Sequence, residues 1–274
     1  MPLDLPPRPE IWLPPKPAIV RSAADLIAAK ADRKMRLGMM PGITPVVGGR
    51  FGDPYIANVV ALLKFEGANG STTITDTSPT GTLWQTTSSA VIDTSQFKFG
   101  ASSLKTGQTT TSGVQSTTTN SNFNLFGGDF TIEGFFYPIA ISPSTNFLWN
   151  NGPDDTKMDW MEVQNGKLCF GTSTSSNWAL RITGTTAITA GAWYHWALVK
   201  VAGTFYMFLN GNLEGTSTTT TYLVQDRQFI LGRKSPNGGS PNSWNGWLDE
   251  LRITKGVGRY TAAFAPPTRS FPIF

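Results

Sequence analysis

The stretch "GAWYHWALVKVAGTFYMFLNGNLEGTS" spans Gly191–Ser217 and carries two tight-turn signals, "AGT" at 202–204 and "LNGN" at 209–212. Glycine and asparagine tolerate the positive φ that two-residue hairpin turns require. The runs between the turns are rich in β-branched and aromatic residues, the kind that pack well on a pleated surface. The stretch therefore predicts three consecutive antiparallel strands. Working outward, similar short runs recur: "NVVALLKFEG" (58–67), "QFKFGASSLKTG" (96–107), "DFTIEGFFYPI" (129–139), "NFLWN" (146–150), "KLCFGTS" (167–173), "WALRITG" (178–184), "QFILGR" (228–233) and "WLDELRIT" (247–254). Each is apolar or alternating and is bounded by Gly, Asn, Asp, Ser or Pro. No helix-period segment longer than two turns follows residue 55. The expected fold is all-β, a two-sheet antiparallel sandwich.

The first fifty residues have a different texture. They hold nine of the nineteen prolines, and eight Lys/Arg against four Asp/Glu. The remaining chain holds fourteen of each charge, so the whole net charge of +4 lies in this segment. "PLDLPPRPEIWLPPKPAIV" (2–20) lacks the backbone donors a helix or central strand needs, and it reads as extended polyproline-like chain. "SAADLIAAKADRKMRL" (22–37) predicts one short helix, capped by Ser22, with Asp25 three residues on and Gly38 as its stop. The expected organisation is an arm over 1–54 and a sandwich over 55–274. The arm has little means of burying a core, so it either packs on its own domain or docks on a partner or a neighbouring copy.

The single cysteine, Cys169, allows no internal disulfide, which suits a reducing compartment, and reads as a small core residue. No run approaches a membrane span, and no secretory signal is visible, so no membrane is expected as a partner. A neutral sandwich and a dispersed basic arm give no concentrated nucleic-acid footprint. One histidine, His195 in "WYHWALV", reads as a packed, hydrogen-bonded strand residue; one histidine and one cysteine exclude the usual zinc sets. There is no phosphate-binding G-x-x-x-x-G-K-[ST] loop.

The ordered set "ALLKFEG", "FGASSLKTG", "DFTIEGFFYP", "WYHWALVKVAGTFYMFLNGNLEG" and "GWLDELRITKGVGRYTAAFAPP" resembles the laminin-G-like, concanavalin A-like jelly-roll domain over about residues 56–270. The ending "LDELRITKGVGRYTAAFAPPT" (248–268) is similar to the close of such domains in bacteriophage structural proteins, and the Pro-rich arm resembles a virion attachment segment more loosely. The resemblance implies a non-enzymatic virion protein, assembled in the host cytoplasm. Its arm would dock on capsid or tail proteins, and its sandwich would be displayed as a decoration or adhesion module, as a homo-oligomer. The alternative is a tail-fibre lectin that reads host surface polysaccharide.

Three further expectations follow. Glucanases of this fold set acidic residues at alternating positions of one strand in an E-x-D-x-E pattern, because two carboxylates must flank one bond. The nearest stretch here, "DDTKMDWMEV" (154–163), puts Asp159 and Glu162 three apart, hence on opposite faces of a strand, so hydrolysis is not expected. Trp193, Trp196 and Trp247 lie in strand patterns and read as core. Trp178 and Trp244 sit beside loop residues, where a ring either stacks on a sugar or plugs the end of the sandwich. Finally, Trp247, Asp249, Leu251 and Ile253 share one face if 247–254 is a regular strand, which places Asp249 in an apolar row. The resemblance implies a structural calcium there, with Asp249 in the last strand, Glu66 in the first, where the family more often has Asp, and Asp76 in the following turn. A metal-free hydrogen-bond network is the other reading. Either version puts Asp249 close to the first strand, near Glu66.

Overall fold

The structure is a computed structural model that describes residues 52–274 except 108–110, 144–145, 155–156, 176–177 and 235–242. The Pro-rich arm and its expected helix near 22–37 lie outside the described residues. Residues 51–274 form one compact unit.

Fifteen strands appear among the described residues: β1 (Val59–Leu63), β2 (Trp84–Thr87), β3 (Val91–Asp93), β4 (Ser103–Thr106), β5 (Gly113–Ser116), β6 (Phe130–Pro138), β7 (Asn146–Asp154), β8 (Lys157–Gln164), β9 (Lys167–Ser173), β10 (Ala179–Thr183), β11 (Tyr194–Val201), β12 (Thr204–Leu209), β13 (Asn212–Ser217), β14 (Ile230–Leu231) and β15 (Gly246–Lys255). They build two antiparallel sheets. The first runs β13-β12-β11-β6-β15-β4-β3, with β1 also pairing β15; the second runs β10-β9-β8-β7-β14-β5-β2. The expected all-β sandwich is what the chain forms. The hairpin signals do what their residue types dictate: Ala202–Gly203 and Asn210–Gly211 both have positive φ, as does Asn165–Gly166 between β8 and β9.

The main core lies between the sheets. Ile132, Phe136, Trp196, Leu198, Phe205, Leu248 and Ile253 of the first sheet meet Leu148, Trp149, Met161, Val163 and Phe170 of the second. Smaller apolar clusters cover the outer faces. On the first sheet, Val59, Leu62 and Phe135 pack under Phe271, and Ala197, Val199 and Phe208 pack under Tyr260 and Phe264. The C-terminal segment thus seals that face. On the second sheet the outer cluster is Phe147, Met158 and Trp160.

The last strand corrects the one-face reading of "WLDELRIT". Against β6, Asp249 pairs with Phe135 and Arg252 with Glu133. Two residues, Glu250 and Leu251, therefore oppose the single Gly134. This is a β-bulge, with Glu250 at φ 53°. The bulge reverses the alternation. Leu248 faces the core before it, and Leu251 and Ile253 after it. Asp249 lies with Trp247 on the opposite side, so it never sat in the apolar row.

The chain enters the sandwich at Asp53, on the outer side of the first sheet. Its backbone N–H donates to the Phe274 carbonyl at 2.7 Å, and its carboxylate receives Arg252 at 2.8 Å and Arg259 at 2.7 Å. Asp53 belongs with the sandwich rather than with the arm. Arg252 also donates twice to Glu133 Oε1, at 3.0 and 2.7 Å, while Tyr260 Oη donates to Glu133 Oε2 at 3.1 Å and His195 Nε2 lies 3.3 Å from it. Burial alone would raise the Glu133 carboxyl; the Arg252 charge beside it overrides that and holds it at about 2. His195 is a packed strand residue between Phe135 and Phe264, as expected, but neither ring nitrogen has the expected hydrogen bond.

Candidate functional site

Strand β8 is two-faced. Met161 and Val163 point into the sandwich, as does Asp159, whose carboxylate meets Arg227 at 2.9 Å. Met158, Trp160, Glu162 and Gln164 alternate to the outer face. Opposite Trp160 on β9 is Gly171. A Cβ there would come 2.1 Å from Trp160 Cζ2, so only glycine lets the indole lie across β9. The ring reaches Trp178, just before β10, at a centroid distance of 4.7 Å and an interplanar angle of 52°. Phe147 of β7 flanks it at 6.4 Å. Together with Glu162, Gln164, Leu180 and Lys234 these rings line an open groove of 320 Å³ on the outer face of the second sheet.

The groove combines an aromatic wedge with charge. Trp178 is 39% exposed, so part of its ring reaches solvent. The Lys234 ammonium lies 4.6 Å from its ring centroid. Glu162 is only 2% exposed and its Oε2 has no hydrogen-bond partner. Burial pushes its carboxyl up to about 7; the Trp160 indole N–H and the Lys234 charge oppose this only in part. The Trp160 N–H acts at a distance, for it too lacks hydrogen-bond geometry. Cys169, paired with Glu162 on β9, is buried, and burial followed by the Glu162 charge pushes its thiol up to about 11, so it is no nucleophile at neutral pH.

The structure separates the two tryptophans singled out from sequence. Trp178 lines the groove. Trp244 is 2% exposed in the core between the sheets, edge-on to Phe136 at 5.1 Å, with its N–H donated to the Trp247 carbonyl at 3.3 Å. Its ring offers no face to a sugar. Trp196 is core as expected, but Trp193 and Trp247 are half-buried on the outer face of the first sheet, edge-on to Tyr137 at 5.5 Å each. Sequence reading weighed Glu162 only as half of a catalytic pair, and it passed over Trp160. The signal was present in the alternation of "MDWMEVQ", with tryptophan and glutamate on one face. The contributions of Phe147, Leu180 and Lys234 had no local signal, because separate strands bring them together.

The three acids expected at a calcium site are each engaged elsewhere. Asp249 is 2% exposed. Its Oδ2 accepts from the backbone N–H of Lys98 at 2.8 Å and of Phe99 at 3.2 Å, and its Oδ1 from that of Glu250 at 2.9 Å. Glu66 accepts from the Ala101 N–H at 3.1 Å. Asp76 accepts from Leu62 and Ser78 N–H at 3.0 and 2.8 Å, and from Thr82 N–H at 3.1 Å. Backbone N–H groups aimed at a carboxylate take up much of its acceptor capacity and turn the positive ends of their dipoles towards it. Among the described residues no group of three or more His, Cys, Asp or Glu is placed to hold a metal. Asp249 lines one small cavity with Phe65, next to Glu66, and both acids accept from the β3–β4 loop, but its donors come from that loop and its own bulge rather than from the first strand. The acid that Lys64, just after β1, approaches is Glu250, at 3.9 Å.

Among solved structures the fold is widely shared. The chain is similar to the binding domain of Paraclostridial Mosquitocidal Protein 1 (TM-score 0.57, 14% identity, 77% of this chain and 50% of that one). It is similar to domain 4 of a GH43 extracellular arabinanase from Geobacillus stearothermophilus, determined in complex with arabinotriose (TM-score 0.52, 15% identity, 73% of this chain and 94% of that one). It is also similar to the binding domain of botulinum neurotoxin DC, determined in complex with rat synaptotagmin II (TM-score 0.58, 13% identity, 74% of this chain and 49% of that one). The chain thus spans about half the length of the toxin chains. At these identities the likeness is one of fold. Among curated protein sequences nothing matches. Residues 106–257, more than half of the chain, match the Laminin_G_3 family, and the protein is therefore a member of the concanavalin A-like lectin/glucanase superfamily.

Proposed function

We propose that the chain is a non-enzymatic binding module of a bacteriophage particle, whose sandwich presents the outer groove of the second sheet to a surface glycan and whose arm docks on capsid or tail proteins. The observation that carries the glycan reading is the half-exposed Trp178 wedged against Trp160 over buried Glu162. An aromatic face takes the apolar face of a pyranose, and fixed polar groups beside it take the hydroxyls. Fold neighbours support it: the arabinanase domain was determined with arabinotriose, and cell entry of a botulinum neurotoxin with this fold depends on two ganglioside molecules. The non-enzymatic reading rests on the carboxylate geometry. Asp159 faces inward onto Arg227 and Glu162 outward, so these two cannot flank one glycosidic bond.

The particle assignment rests on the sequence resemblance of residues 248–268 and on the Pro-rich, net-positive arm. Glycan-array screening of the full chain and of Trp178→Ala tests the binding role. Retention of a polysaccharide by the former and its loss in the latter is the expected result; an empty array, or a hit that ignores Trp178, refutes it. Deleting residues 1–50 tests the anchor: the truncated protein should be missing from purified particles, and normal incorporation refutes docking through the arm.

A further inference from the structure

We propose that the groove selects glycans that carry a positively charged amino substituent, so that its ligand is an amino sugar with a free ammonium group. The inference rests on the glycan reading above and names the chemistry that its groove demands.

The floor of the groove lacks a hydrogen-bond donor for one carboxylate oxygen. Glu162 Oε2 is a buried acceptor with no donor, and its residue is 2% exposed. A buried carboxylate without a partner is unfavourable, and a donor brought by a ligand would relieve that cost. The walls around it are aromatic: Trp160 and Trp178 meet at 52°, with Phe147 on the other flank. Ring faces carry negative quadrupole potential, so a wedge of indoles over a carboxylate is a site for positive charge. The chain itself supplies the demonstration. The Lys234 ammonium rests 4.6 Å from the Trp178 centroid and reduces the penalty on Glu162 through its charge. Lys234 thus stands where a ligand ammonium would stand. Its flexible stem can withdraw, whereas the rings and the carboxylate are held by the strands.

The other sugar classes fit less well. A uronic or sialic acid would bring a second carboxylate against Glu162. A neutral hexose would satisfy Oε2 with one hydroxyl but leave the aromatic wedge without its cation. An amino sugar supplies both a C–H face for the indoles and a charged donor for the carboxylate, and charge-assisted hydrogen bonds are about twice as strong as neutral ones.

The test is a tryptophan-fluorescence titration of the full chain at pH 7. Glucosamine, galactosamine and mannosamine are each compared with the N-acetylated sugar and the parent hexose, with tetramethylammonium chloride as a bare cation. At least one free amine should bind about tenfold more tightly than both of its neutral counterparts. Glu162→Gln, which keeps the shape, should erase that preference, bringing the amine and its parent hexose within about twofold of each other. Lys234→Ala should strengthen amine binding by removing the resident competitor, whereas for an acidic ligand it would weaken binding. Equal affinities for amine and hexose overturn the inference and leave the glycan reading standing. Binding of tetramethylammonium with no sugar bound overturns both, as does no binding at all. An amine preference unchanged in Glu162→Gln assigns the selectivity elsewhere and overturns it too.

Discussion

Replacing Glu133 with Gln should destabilise the sandwich in a strongly pH-dependent way. Glu133 is fully buried on the outer face of the first sheet, where it takes two hydrogen bonds from Arg252 and one from Tyr260. Its carboxyl is held at about 2 against an ordinary 4.5. A displacement of that size corresponds to about 3 kcal/mol at about 1.4 kcal/mol per unit. The folded value lies below the unfolded one, so this stability is fully present above about pH 4.5 and is lost as pH falls towards 2. Glutamine keeps the volume but removes the charge, which imitates the protonated acid. Urea denaturation of the two proteins should therefore differ by about 3 kcal/mol at pH 7 and by less than about 1 kcal/mol near pH 2. Arg252 and Arg259 keep Asp53 in the variant, so the loss should stay near that figure. A cost that is the same at both pH values would mean that shape rather than charge holds the cluster, and would refute the reasoning.

Trp244→Ala should cost about 3–5 kcal/mol, because it empties a core site between the sheets, whereas Trp178→Ala should cost less than about 1 kcal/mol and remove ligand binding; thermal melts beside the array measurement separate the two. Asp249→Ala leaves the Lys98, Phe99 and Glu250 amides without an acceptor and should cost about 3 kcal/mol, with Asp249→Asn costing clearly less by the same melts. Because those amides occupy the Asp249 oxygens, a calcium chelator should leave the wild-type Tm unmoved; a fall of several degrees would show that a cation is bound after all. Glu162→Gln should stabilise the protein at pH 8 and not at pH 4, since a buried carboxyl raised to about 7 favours folding below its unfolded value and loses that contribution as pH rises through 4.5 to 7. Equal stability of the two proteins at pH 8 would refute the burial cost assigned to Glu162.

Elements whose code is local could be read from the residues alone. Turn pairs such as Ala202–Gly203 and Asn210–Gly211 need positive φ, and the apolar runs between them pack best as strands, so the sandwich and many of its strands were legible. The opposition of Asp159 and Glu162 was legible as well, since a strand alternates with period two. The Ser/Thr-rich strands β2 and β5 were not, because their own residues carry little apolar pattern and the partner strands supply their pairing. Tertiary structure alone decided the rest. A single extra residue opposite Gly134 turned Asp249 out of the apolar row, and no local feature announces a bulge that depends on a neighbouring strand's register. Trp178 and Trp244 share the same loop-like sequence context, yet one lines the groove and the other fills the core. The groove itself joins residues of β7, β8 and β10 with Lys234 beyond β14, because antiparallel pairing places side chains far apart in sequence within reach of one another on one face.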